Sequence, residues 1–274
     1  MNKLLKSISL GLIISAFSFN FGFAQDGDEH SKAELAQKLA NPVSNLISVP
    51  MMQYMDFGIG EHNGSRYQLQ MQPVIPAKIS DDINLITRAI IPIVSQHNVT
   101  GAGNTEAGLG DIVLSGFFSP SKMKNGFIWG VGPAFSIPTA SNNMLGAQKF
   151  GVGPTAVALK QSKTLTYGAL INQIWSVAGN SERSDISQLY IQPFVAHNWS
   201  SGGGVSAMIE YTQDWESKSA DLWLTPSLTG ITSLGNQKIS FAVGPRFNLV
   251  APENMKARFG MRGSVTFLFP TAKK

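Results

Sequence analysis

The side chains able to do chemistry are few. The sequence holds no cysteine and four histidines, His30, His62, His97 and His197. A serine nucleophile needs a histidine base within hydrogen-bond reach and a polar group to orient it. His62 lies in the turn-like run Glu61-His62-Asn63-Gly64, His97 in a loop, and His197 ends an apolar segment beside Asn198, none of them in such a setting. No catalytic residue is expected, and the chain is read as not an enzyme. Asp26, Asp28, Glu29 and His30 cluster near the N-terminus, where solvated charge is the simpler account. No paired-His or calcium-loop spacing occurs, so no metal site and no cofactor are expected. The run Ser201-Gly202-Gly203-Gly204 falls between two apolar segments and does not precede a helix, which makes it a turn and not a phosphate cradle.

Composition narrows the class. Charged residues make up 14% of the 274, against roughly 25% in a typical soluble domain. Lys3 and Lys6 precede an apolar run, Leu10 to Phe19, which ends in Phe21-Gly22-Phe23-Ala24. This is the layout of a secretory signal peptide cut after Ala24, as in an exported protein of a Gram-negative-type bacterium. The formal net charge of +4 falls to +2 once Lys3 and Lys6 leave with it. No Lys/Arg cluster suited to phosphates is present, so a nucleic-acid partner is not expected. No later stretch of 18 or more apolar residues exists, which excludes a membrane crossing by helix.

After the leader come a polar stretch and a short helix, residues 25–45. Leu35, Leu39, Val43 and Leu46 recur at helical spacing, and Pro42 breaks the pattern. The segment is read as periplasmic or plugging. From residue 46 to 270 the period changes to two. Tyr67-Gln68-Leu69-Gln70-Met71-Gln72 alternates strictly, as do 205–212, 239–248 and 258–269. Twelve strands are predicted: 46–57, 66–77, 83–95, 109–119, 126–138, 150–160, 164–176, 187–199, 203–215, 222–232, 238–248 and 257–269. Long joins near 96–108, 139–149, 177–186 and 216–221 alternate with short ones, the rhythm of a barrel with turns at one rim and loops at the other.

The two faces then decide the solvent. One carries Tyr67, Trp129, Trp175, Phe247, Phe259 and Phe269 near segment ends, as lipid-facing aromatic girdles would. The other is polar with isolated charges. Gln68, Gln70, Gln72, Arg88 and Asp111 are expected to face a lumen, and so are Glu210, Asp214, Arg246, Arg258 and Arg262. A buried arginine is costly unless paired, and Asp111 and Glu210 are the expected partners. Prolines at 73, 92, 133, 154, 193, 226 and 245 oppose this reading, because proline gives up a ladder hydrogen bond. A barrel is expected to put them at rims or bulges, or to repeat a hairpin register around them.

Several segments resemble the outer-membrane β-barrel family known as the "MetA-pathway of phenol degradation" transporters. They are Gly108-Leu109-Gly110-Asp111-Ile112, Gly130-Val131-Gly132-Pro133 leading to Ile137-Pro138-Thr139, Tyr167-Gly168-Ala169-Leu170, and Asn84 to Arg88 continuing through Ile91-Pro92-Ile93-Val94. The resemblance spans about residues 35 to 270; Ala140 stands where many members have glycine. It implies an outer-membrane barrel that transports a solute, with the lipid bilayer and a small molecule as partners, and fixes no substrate. The fold expected is all-β: an antiparallel transmembrane β-barrel of about 12 strands behind a short N-terminal helical segment. A passive transporter or channel for a small, hydrophobic solute leads. A plugged structural or adhesive barrel and a soluble secreted β-sandwich that binds a ligand are the alternatives.

Overall fold

Strict alternation lets a strand show apolar side chains on one face and polar ones on the other, which is useful only if the sheet's two faces meet different solvents. In a computed structural model, which describes residues 29–269 apart from residue 236, this pattern closes on itself. The proposed leader, residues 1–24, lies outside the described residues. The chain runs through a helix α1 (Glu29–Leu39) and the strands β1 (Ile47–Ile59), β2 (Gly64–Met71), β3 (Val74–Lys78), β4 (Ile83–His97), β5 (Thr105–Leu109), β6 (Ile112–Pro120) and β7 (Phe127–Ile137). It continues through β8 (Lys149–Gln161), β9 (Leu165–Gly179), β10 (Ser187–Asn198), β11 (Gly204–Asp214), β12 (Ser219–Leu234), β13 (Gln237–Val250) and β14 (Phe259–Phe269). β2 and β3 are one stave interrupted at Gln72-Pro73, and β5 and β6 another interrupted at Gly110-Asp111, so the fourteen strands make twelve staves. Each stave pairs antiparallel with its neighbours, and β1 pairs with β14 from Ile47↔Phe269 to Phe57↔Phe259. That seam closes the barrel and excludes an open sandwich.

The predicted staves all form; several run longer than expected, while β7, β10, β11 and β14 are one or two residues shorter. β9 runs to Gly179 and β12 starts at Ser219, so the join after β11 shrinks to a four-residue turn, 215–218. The join between β7 and β8 spans 138–148, and that between β4 and β5 spans 98–104. Joins at the other rim are short, such as 162–164 between β8 and β9.

The outward face is apolar. Around the long-loop rim it shows Phe57, Tyr67, Trp175, Trp215, Phe247 and Phe259; around the short-turn rim it shows Phe118, Phe127, Trp129, Tyr167, Trp199 and Phe269, all exposed. Between the two rings lie exposed aliphatics such as Leu114, Val131, Leu228 and Val243. Two aromatic rings bounding an aliphatic band are the surface of a barrel standing in a bilayer. No helix among the described residues is long and apolar enough to cross a membrane.

The strand prolines are not confined to rims or bulges. Pro73 sits at the break between β2 and β3. Pro92 faces the bulge between β5 and β6, where its carbonyl accepts a 2.8 Å hydrogen bond from Gly110 N. The other five are inside strands, and Pro133 of β7 stands directly opposite Pro154 of β8. Beside each of the five, one ladder is locally interrupted without a slip. The β8–β9 pairing passes from Val152↔Trp175 to Thr155↔Asn172, and the β12–β13 pairing from Leu224↔Phe247 to Leu228↔Val243. Glycines fill the vacated space. A Cβ on Gly132 would lie 1.9 Å from Gly116 O, on Gly153 1.7 Å from Gln173 O, and on Gly244 1.9 Å from Pro226 O. Proline has no N–H to pair there, and before Pro133, Pro154 and Pro245 the bare glycine lets the neighbouring backbone close in.

Gly153→Ala should therefore force β8 and β9 apart. Overpacking of this kind costs about 1–3 kcal/mol. The expected outcome is loss of the compact, heat-modifiable gel form at a lower temperature than in the native chain, while Gly235→Ala, next to no other atom but at a positive φ, should shift it less.

Candidate functional site

The lumen has two unlike walls. On β4 and β6 to β9 the inward face carries an apolar patch among polar residues: Ile86, Phe117, Ile128, Val157, Leu159 and Leu170 pack as one cluster with Val43 from the segment after α1. Gly130 makes room, since a Cβ there would touch Phe117 and Val43 at 3.1 Å. The expected lumen was polar throughout; period-2 alternation cannot show that part of the inner face of these staves is apolar too and that a leader segment covers that part.

α1 closes the short-turn rim. Its Leu35 and Ala36 pack with Leu46 and with inward Ile231 and Leu268. Gln161 Nε2 donates 2.7 Å to Gln37 O, and Gln37 donates to Ser162 O in the turn. The helix ends where expected: Val43 N bonds Asn41 Oδ1 at 2.9 Å, and Pro42 cannot continue the ladder.

The opposite wall is charged. Arg246 of β13 donates from Nη1 to Asp56 Oδ1 of β1 at 2.7 Å, and its Nη2 lies 3.8 Å from Glu210 Oε2 of β11. Its guanidinium stacks 3.8 Å from the Trp223 ring centroid and 4.6 Å from that of Tyr54. β14 runs between β13 and β1, and it carries Gly260 at this level. A Cβ there would meet Asp56 Oδ1 at 2.8 Å and Arg246 Cβ at 3.0 Å. Tyr190 OH donates to Glu210 at 3.4 Å, while Asp221 takes bonds from Trp223 Nε1 at 2.7 Å and Asn248 Nδ2 at 2.8 Å.

The ten residues predicted to line the lumen separate into groups. Glu210, Arg246 and Arg262 are inward and sequestered. Gln68, Gln70, Gln72 and Arg88 share the inward side of their staves: Gln72 Nε2 donates 2.6 Å to Gln70 Oε1, and Arg88 Nη2 donates 2.7 Å to Gln72 Oε1. Three do not take part. Asp111 sits at the β5–β6 break and accepts from Ala140 N at 3.1 Å and Ala147 N at 2.7 Å, so it clamps loop 138–148 and is no partner for a lumen arginine. Asp214 caps the turn after β11 through Glu216 N at 2.9 Å. Arg258 precedes β14, where it is exposed with its methylenes against Gly58 at the rim. Strand-end parity does not carry past the last ladder pair.

The loop rim has its own ties. Arg183 Nη2 donates 2.8 Å to Gly146 O, and Lys149 Nζ bonds Asp185 at 2.9 Å. That lysine, then Ser176, holds the Asp185 carboxyl below the usual carboxylate range.

Asp56, Tyr54, Arg66 and Trp223 were not singled out from sequence. The available signal was parity: Asp56 lies two residues from Tyr54, and Arg66 two before Gln68, on the face that later staves fill with charge. Between the charged layer and α1 a cavity of about 250 Å³ remains.

The geometry has a counterpart among solved structures. The crystal structure of the COG4313 outer membrane channel from Pseudomonas putida F1 overlays with a TM-score of 0.65 at 11% identity, covering 82% of this chain and 96% of that one. That likeness shows the fold. A second structure, OmpT of Vibrio cholerae in a trimer form, overlays with a TM-score of only 0.36 at 6% identity, covering 81% of this chain and 98% of that one. No family model matches the chain, and no curated protein matches it. The class is thus a closed twelve-stave antiparallel β-barrel with an apolar outer face, the fold that this channel shares.

Removing one partner of a buried ion pair costs about 3–5 kcal/mol. Arg246→Met should leave Asp56 and Glu210 buried without their cation and lower the unfolding free energy from urea titration of refolded barrel by that order. Asp56→Asn combined with Arg246→Met should recover part of the loss, measured by tryptophan emission.

Proposed function

We propose that the chain is an outer-membrane barrel that passes a small solute down its lumen, gated by its own N-terminal segment. What supports this best is the unfilled space between α1 and the Arg246 layer, enclosed by a barrel whose outside is apolar. A barrel of about 8 staves is filled by side chains and one of 16 or more leaves a channel; twelve with two partial fillings leaves room for one small molecule. The resemblance to the phenol-degradation family, together with the channel named in the solved structure, supports transport as the task. The solute class read from the apolar wall is small and partly hydrophobic.

A second reading keeps the barrel and drops the transport. Arg246, Asp56, Glu210 and Trp223 cross one end of the lumen and α1 closes the other, so a plugged structural or adhesive barrel is favoured by a specific contact set.

The chain holds no cysteine, so a staple can be placed cleanly. Gln37→Cys with Ser162→Cys joins α1 to the β8–β9 turn. In liposome swelling assays, oxidation should cut solute entry several-fold and reduction should restore it. Absence of entry in both states, with the barrel refolded, would favour the plugged reading.

A further inference from the structure

Around Arg246 the buried charge in the lumen is compensated, and at Arg262 it is not. Arg262 of β14 is 5% exposed, yet among the described residues no carboxylate reaches it. Its Nη2 donates to the Met52 sulfur at 2.8 Å, its guanidinium lies 5.9 Å from the Tyr54 ring centroid, and its Nε has no partner. A thioether is a weak acceptor, and a buried cation without an anion is expensive. Arg262 lines the cavity above α1, and so does Arg88, whose described polar partner is the neutral Gln72 amide. The described lining of that cavity contains two arginines and no aspartate or glutamate. A second buried donor on it, Asn198 Nδ2, also lacks a partner. The rest of the wall is in large part apolar, with Leu39, Leu46, Val74, Leu170 and Phe194 among its residues.

We infer that this cavity is a binding site for a small anionic amphiphile, a carboxylate head on an apolar chain or ring. The head accepts from Arg262 and Arg88 by charge-assisted hydrogen bonds, which guanidinium groups offer to carboxylates in a fork. The apolar body lies along Leu170, Phe194 and Leu39. At about 250 Å³ the space falls below the roughly 300–1,000 Å³ that drug-sized ligands occupy, so a diacyl lipid does not fit and a short-chain acid does. This names the solute class of the proposed passage, and it depends on that proposal only for movement through the barrel.

The test is equilibrium dialysis of octanoate, octanol and octylammonium against the full chain in phosphocholine nanodiscs, with empty nanodiscs subtracted. Octanoate should bind about tenfold or more tightly than either of the others, the size of one charge-assisted contact. Arg262→Gln should remove most of that preference and Arg88→Gln part of it. Arg183→Gln, at the loop rim outside the cavity, should leave it intact. Equal binding of octanol and octanoate by the native chain would overturn the site whether or not any variant folds. So would undiminished octanoate preference in a folded Arg262→Gln, Arg88→Gln double variant. Octanoate binding without liposome entry would remove the transport reading and leave the site standing.

Discussion

Everything in this molecule depends on the seam between β1 and β14. A strand edge in hydrocarbon leaves amides unpaired, so a sheet in lipid has to close. The closure is reinforced from inside. Asp56 on β1 and Arg246 on β13 join across β14, which carries Gly260 at that level and so leaves them space. The ladder fixes the circumference, and the buried pair ties three staves at the place where the barrel's first and last staves meet.

With the circumference fixed, twelve staves enclose more volume than one rank of side chains fills. The chain fills it unevenly. On one side Phe117, Leu159 and Leu170 make a small core with Val43; on the other, guanidinium and carboxylate groups meet with aromatic rings. α1 then covers the short-turn end with Leu35 and Ala36. The remaining cavity lies where apolar wall, polar wall and helix meet, which gives it an amphipathic lining.

Much of the barrel was legible in the sequence, because alternation, turn residues and aromatic placement all report on one property, the polarity of each face. Tyr67 to Gln72 and Phe259 to Phe269 lie on their staves as their patterns require. The prolines were misjudged because a pattern of residue types carries no information about the opposite strand: the fit of Gly153 against Gln173 O exists only once β8 and β9 are paired. Charge partners were illegible for the same reason. Glu210 was named as a partner from its face, but Asp56 sits 190 residues from Arg246 in the chain, and only closure of the ring brings them together. Asp111 looked equally suitable and serves a loop, since the bulge after Leu109 breaks the parity on which the choice relied.

The central claim is that one face of every stave meets lipid and the other the lumen. Tryptophans sample both. Trp129, Trp175, Trp199 and Trp215 are exposed on the outside, while Trp223 is buried against Arg246. The direct measurement is emission quenching by brominated lipid in single-tryptophan variants refolded into bilayers. The account predicts strong quenching of the four outer residues and little of Trp223. Quenching of Trp223 equal to the others, or of none of the five, would contradict it.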